Sequence, residues 1–159
     1  MSLATYKKPA VKAVSAAKRG KVAEAKVRDY LKALEAQTIQ FTFNRIGDAG
    51  AARGAFASQA GDFQAFGWGR NWIIEVKETQ HAYRLPHGNF GVEQVVKLRK
   101  RELAGSLPLV LIYHRNEKLW RCPAFSTFLH REGGSWDLRE VKPQLLAEIL
   151  DCNLKPDLK

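Results

Sequence analysis

Two acids and a lysine in this chain are spaced so that they could cut a phosphodiester. Asp62 follows Gly61, and Glu75 is parted from Lys77 by the single residue Val76. Hard cations such as Mg²⁺ take oxygen ligands and are held by one or two carboxylates plus waters and substrate phosphate. A cation so held lowers the pKa of a bound water and neutralises charge growing on the phosphate, and a nearby lysine orients the attacking water or shares that neutralisation. The plain alternative is an exposed salt bridge, since an acid-x-Lys triplet arises by chance about once per hundred-odd residues at ordinary usage. Glu75-Val76-Lys77 rises above chance because it ends an apolar run and has Gly61-Asp62 one hairpin earlier.

The hairpin is what must position these groups. Phe63, Phe66, Trp72, Ile73, Ile74 and Val76 are aromatic or β-branched, and Gly67 and Gly69 lie between the two runs, the usual sequence signal for paired strands. A turn centred near Gly69 sets Phe63 opposite Glu75 and Asp62 beside Val76. Side chains alternate along a strand, so Glu75 and Lys77 share one face while Ile74 and Val76 share the other.

A chain of 159 residues with 45% hydrophobic composition supports one core and is short for two. We expect one basic N-terminal arm, residues 1–18, and one α/β domain, residues 19–159, with a mixed sheet flanked by helices. Lys and Arg number 26 against 16 acids, a net charge of +10. Such a balance favours an anionic partner, nucleic acid ahead of an anionic membrane surface. No apolar run approaches the 18 or so residues of a membrane span, and residues 1–20 lack the apolar block of a signal peptide. The expectation is therefore a soluble, cytoplasmic protein that associates with the nucleoid, from a cellular or viral genome. Cys122 and Cys152 have no second Cys or His at ligand spacing, and His81, His87, His114 and His130 are scattered, which argues against zinc, a disulfide framework and a His-based nuclease. Neither Gly-rich nucleotide-binding motif occurs.

Along the chain, Lys7, Lys8, Lys12, Lys18 and Arg19 come without a single acid and read as a phosphate-contacting arm or a solubilising tail. From Arg19 to Leu34 the pattern is helical, with Glu24, Val27, Leu31 and Leu34 on one stripe. A carboxylate at that position needs a partner. Arg28 one turn later and a role at the metal site both qualify. Gln37 to Phe43 reads as a strand with Ile39, Phe41 and Phe43 on one face, and Asn44 to Gln59 as a loop whose Arg45 and Arg53 could contact phosphate. A helix is expected from Gly91 to Ala104, capped by Asn89, with Val92, Val95, Val96, Arg99 and Leu103 near one face. Gln94, Lys97, Arg99, Lys100 and Arg101 give it a polar, positive side. Leu107 to Tyr113 reads as a central strand, Glu117 to Cys122 as its neighbour with Trp120 in the core, and residues 124–131 and 143–150 as short helices, the second opened by Pro143. The order α, β, β, β, α, β, β, α suits a mixed sheet with helices on its faces.

Arg19-Gly20 with Glu24 on a helix, then Ser58-Gln59-Ala60-Gly61-Asp62-Phe63, then Ile74-Glu75-Val76-Lys77-Glu78-Thr79, then Asn89 and Gln94, resemble the RecU-like Holliday-junction resolvases of the PD-(D/E)XK nuclease superfamily. The likeness spans residues 19 to about 125. It implies the restriction-endonuclease-like core, Mg²⁺ (with Mn²⁺ as a substitute) held by Glu24, Asp62 and Glu75, Lys77 as the catalytic lysine, and Gln94 supporting the site. It also implies a homodimer making paired nicks in four-way DNA junctions. The apolar residues Phe41, Leu109 to Ile112, Phe125, Phe128 and Trp136 are then available to the core or to the dimer interface. Two departures are visible: Gly61 stands where the motif carries Pro, and Phe43 to Ser58 is short and rich in Ala and Gly where the family has a stalk. The alternatives are a related nuclease acting on ends, flaps or duplex, and a basic DNA-binding protein whose acids only form salt bridges.

Overall fold

A ten-residue strand, β3 (Arg70–Thr79), runs through the middle of the molecule, and the other elements are arranged about it. The computed structural model describes residues 16–47 and 60–156, with side chains in the first helix from Gly20 onward. The expected arm, Lys7, Lys8 and Lys12 included, lies outside the described residues, as do Arg53 and the side chains of Lys18 and Arg19. The elements in order are α1 (Ala16–Gln37), β1 (Phe41–Arg45), β2 (Phe63–Gly67), β3, β4 (Arg84–Pro86), α2 (Val92–Leu103), β5 (Leu107–His114), β6 (Leu119–Arg121), β7 (Ser135–Asp137) and α3 (Leu146–Leu154). Five strands form a mixed sheet in the order β1-β2-β3-β5-β6, and β4 and β7 form a second, two-stranded one. β3 and β5 are parallel and joined through α2, while the other main-sheet pairs are antiparallel. The expected mixed sheet flanked by helices is the observed fold.

Alternation along β3 divides the core. Trp72, Ile74 and Val76 join Leu109, Leu111 and Tyr113 beneath α1 and α3, whereas Ile73 joins Val110 and Ile112 beneath α2. Helix α1 buries Ala23, Val27, Leu31 and Leu34, an apolar stripe at steps of four, four and three. Ala23 rather than Glu24 completes it, so Glu24 stands on its flank. Helix α2 buries Val95 and Leu98 while Val92, Val96 and Leu103 stay exposed, which rotates its inner face from the one expected. Its N-cap is Gly91, whereas Asn89 donates from Nδ2 to the Glu78 carbonyl (3.3 Å).

Other expectations shift for local reasons. Ile39 is fully exposed in the turn before β1, and β1 extends to Arg45, which therefore belongs to a strand and not to the loop. The last helix begins at Leu146 with Leu145 as N-cap, because Gln144 pairs with Trp120 as an isolated bridge and holds residues around Pro143 extended. Trp120 is buried, as expected, and Phe41, Leu109 to Ile112, Phe125, Phe128 and Trp136 all lie in the chain's own core. Among the described residues no helix is long and apolar enough to cross a membrane.

Candidate active site

The β2–β3 turn decides where Asp62 falls. Gly67 pairs with Arg70, leaving Trp68 and Gly69 as a two-residue loop, and both have positive φ, 48° and 72°, as a type I′ turn requires. A two-residue turn moves the register by one from the sequence-based expectation: Phe63 faces Ile74, not Glu75. Asp62 follows on the same ladder. Its amide donates to the Ile74 carbonyl (2.8 Å), and its Oδ2 accepts from the Val76 amide (2.7 Å). The acid is thus pinned by backbone to the stretch of β3 that carries Glu75 and Lys77.

Gly61 is what lets the chain arrive there. Its φ is +84°, and a Cβ built on it would lie 2.5 Å from Ile73 Cγ2. Proline, with φ locked near −65°, could not adopt this conformation, so the departure from the motif's Pro has a backbone cause.

Glu75 and Lys77 point to the α2 side of the sheet and meet there, Oε1 to Nζ 2.6 Å, with side chains only 4% and 13% exposed. Gln94, in the first turn of α2, joins both. Its Oε1 accepts from Lys77 Nζ (3.1 Å) and from the Gly91 amide (3.3 Å), and its Nε2 donates to Glu75 Oε1 (3.3 Å). The Lys77 ammonium also lies 5.0 Å from the Phe90 ring centroid. Side chains three and four apart share a helix stripe, so Lys97 and Arg101 continue the stripe that Gln94 begins, whereas Lys100 falls beside exposed Val96.

Glu24 comes from α1, and its charge acts on Asp62. It pairs with Arg45 (3.2 Å), while Arg28 turns to Asp29, so the expected one-turn pair with Arg28 does not form. Among the described residues no three His, Cys, Asp or Glu side chains come close enough to hold one ion together. Asp62 and Glu75 are the acids that the fold gathers. Burial first, then the Glu75 charge, pushes the Asp62 carboxyl up to about 7; Glu24 adds to the rise, while the Val76 amide and Lys77 oppose it. Like charges gathered where water is scarce favour a proton or a cation. Two carboxylates leaving several positions for water and phosphate are the donor set that Mg²⁺ takes, so these residues fit a divalent metal.

The motif block contains Glu78 without giving it a role, and Arg115 has no place in the sequence pattern. Glu78 Oε1 meets Arg115 Nε at 2.6 Å, and this pair lines a cleft of about 460 Å³ beside Lys77. The signal available was Glu78 next to the motif lysine; Arg115, in a turn far along the chain, offered none.

No family model matches the chain, and no curated protein is similar to it in sequence. Among solved structures it is similar to Hjc of Archaeoglobus fulgidus, a Holliday junction resolvase from an archaeal hyperthermophile. The TM-score is 0.56 and the identity 18%, over 82% of this chain and 98% of that one. The chain has the Hjc fold. Hjc is matched over nearly its whole length.

Proposed function

We propose that this protein is a metal-dependent nuclease that acts on branched DNA, with the four-way junction as its substrate. The observation that carries the reading is the convergence of Asp62, Glu75, Lys77 and Gln94 at one end of β3, where the Asp62 carboxyl is held near neutrality by burial and a neighbouring acid. A salt bridge made for stability has no use for a second buried acid that raises its own proton affinity. The resemblance to the RecU-like nucleases and the Hjc fold both point to junction DNA.

Asp62 and Glu75 would hold a divalent cation, Mg²⁺ or Mn²⁺, with Glu24, whose charge already acts on Asp62, as a further acid of the set. The bound cation would supply an acidified water and positive charge at the scissile phosphate. Lys77 keeps its ammonium in place through Glu75 and Gln94 and presents it to the attacking water or to the phosphate. Gln94 acts as a positioning residue: it ties the lysine and the acid of one strand to the first turn of α2. Lys97 and Arg101 extend positive charge from the site along α2, and Lys100, Arg45, Arg53 and the arm with Lys7, Lys8, Lys12, Lys18 and Arg19 would add phosphate contacts elsewhere on the duplex arms. Paired nicks need two such sites, so the reading requires a two-fold dimer.

The test is cleavage of end-labelled four-way, flap and linear duplex DNA by the purified protein, in Mg²⁺ and in EDTA. The reading expects Mg²⁺-dependent, symmetric nicks in the four-way junction and little cutting of the duplex. Equal cutting of all three would leave a general nuclease, and binding without cutting would make the chain a DNA-binding protein.

A further inference from the structure

The cleft beside Lys77 is lined by neither Asp62 nor Glu75. Gly20, Lys77, Glu78, His81, Asn89 and Arg115 line it, in a volume of about 460 Å³. Within it Glu78 and Arg115 form an asymmetric pair: the acid's side chain is 7% exposed and the arginine's 37%. The buried member anchors and the open member faces solvent. The Arg115 backbone is fixed as well, because its amide donates to the Thr79 carbonyl (2.9 Å) and Asn116 Nδ2 donates to the Gln80 carbonyl (2.9 Å). A guanidinium carries five N–H donors, and the contact with Glu78 engages only the one on Nε.

Gly20 adds an independent observation. It lies inside helix α1, and a Cβ built there meets nothing within 4 Å among the described residues. Packing among the described residues therefore does not require glycine, which in a helix interior is less favourable than Ala. The space it leaves opens onto the cleft.

We propose that this cleft holds a DNA phosphate flanking the one that is cut, with Arg115 as its ligand, Glu78 as the residue that positions Arg115, and Gly20 leaving room for the backbone of the strand. The assignment rests on the nuclease reading above. A planar fork of donors held at one end by a carboxylate suits a phosphate oxygen pair, and the cleft begins at Lys77, within a nucleotide's reach of the scissile position.

The experiment uses the full chain and four-way junctions in which single phosphates within two nucleotides of the cut site are replaced by neutral methylphosphonate, with affinity measured in Ca²⁺. One replacement is expected to weaken wild-type binding roughly tenfold, as loss of a charge-assisted hydrogen bond does, and to leave Arg115→Ala binding unchanged. Glu78→Gln should lose part of the same effect, and Arg115→Lys should restore less than half of it. Gly20→Leu strengthens the helix and fills the cleft, so it should raise the melting temperature by about 2 °C while weakening junction binding. It also decides the matter if Arg115→Ala fails to fold. The assignment is overturned if every methylphosphonate affects wild type and Arg115→Ala alike, or if Gly20→Leu binds as tightly as wild type. If the wild type cuts no junction in Mg²⁺, the underlying nuclease reading falls, an outcome separate from a cleft that proves unimportant in an active enzyme.

Discussion

The two ends of β3 are built to opposite ends. At its start, beside the Trp68-Gly69 turn, neutral groups satisfy one another: Gln64 Nε2 donates to Asn71 Oδ1 (3.4 Å), and Asn71 Nδ2 to Ser106 Oγ (3.1 Å). Trp68 covers Phe41 with ring centroids 5.9 Å apart. Four and six residues beyond Asn71, Glu75 and Lys77 are nearly sealed from water, and Asp62 sits beside them with its charge opposed by its surroundings. The first end is arranged for stability. The second accumulates charge that the fold alone does not balance, which is how a site that waits for a cation differs from one that is complete.

The sharpest way to break the contrast is to remove an acid from the charged end. Glu75→Gln should lower the single-turnover cleavage rate by on the order of 10³-fold, the effect of several kcal/mol of lost transition-state stabilisation, with junction affinity unchanged or slightly higher. Rate and affinity measured on the same sample check this. Lys77→Ala should lose cleavage to a similar degree and also cost roughly 3–5 kcal/mol of stability, because it strands Glu75 as a buried, unpaired charge; urea unfolding would show it.

Next in size is the approach to Asp62. Gly61→Ala must place a methyl where Ile73 Cγ2 lies and hold φ at +84°. We expect a loss of about 1–3 kcal/mol accompanied by a fall in cleavage, since the strain is relieved by moving the adjacent acid. Gly69→Ala offers the control at the other end. Its φ is +72° but nothing crowds it, so it should cost about 1 kcal/mol and leave the cleavage rate per folded molecule intact.

The pH dependence sharpens the same contrast. Asp62 titrates near 7 in the folded, metal-free protein and near 3.8 when exposed. A folded-state pKa raised in this way adds stability below the unfolded value, and that contribution is lost as pH rises toward 7. Metal-free Asp62→Asn should therefore show a flatter stability profile between about pH 4 and pH 7. Mg²⁺ binding to the wild type should release a proton below pH 7, and apparent affinity should fall up to about tenfold per unit of acidification there. Calorimetry in buffers of different ionisation enthalpy would count that proton.

Much of this was legible in the residues because it depends on local pattern. Strand alternation placed Glu75 and Lys77 on one face, and the Gly-rich break marked the hairpin. The one-residue register error came from the turn: whether Trp68 or only a glycine takes positive φ is a backbone choice that composition does not reveal. The pattern of α2 marks a helix but not its inner face, because exposed Val92, Val96 and Leu103 mimic a core stripe and only the packing of Phe90 and Phe128 beside Val95 and Leu98 decides the rotation. Glu24 was seen to need a partner, but Arg45 comes from a strand on the far side of a turn. Arg115 was invisible for the same reason, its role being set by a contact 37 residues back in sequence.

The most direct test is single-turnover cleavage of a labelled four-way junction by wild type and Asp62→Asn, side by side in Mg²⁺, with binding of the same junction measured in Ca²⁺. Asn at this position keeps an oxygen for the Val76 amide and removes only the charge. The account predicts equal or tighter binding by the variant and cleavage reduced by on the order of 10³-fold. Near-normal cleavage by Asp62→Asn would contradict it and return Asp62, Glu75 and Lys77 to the status of a structural ion cluster.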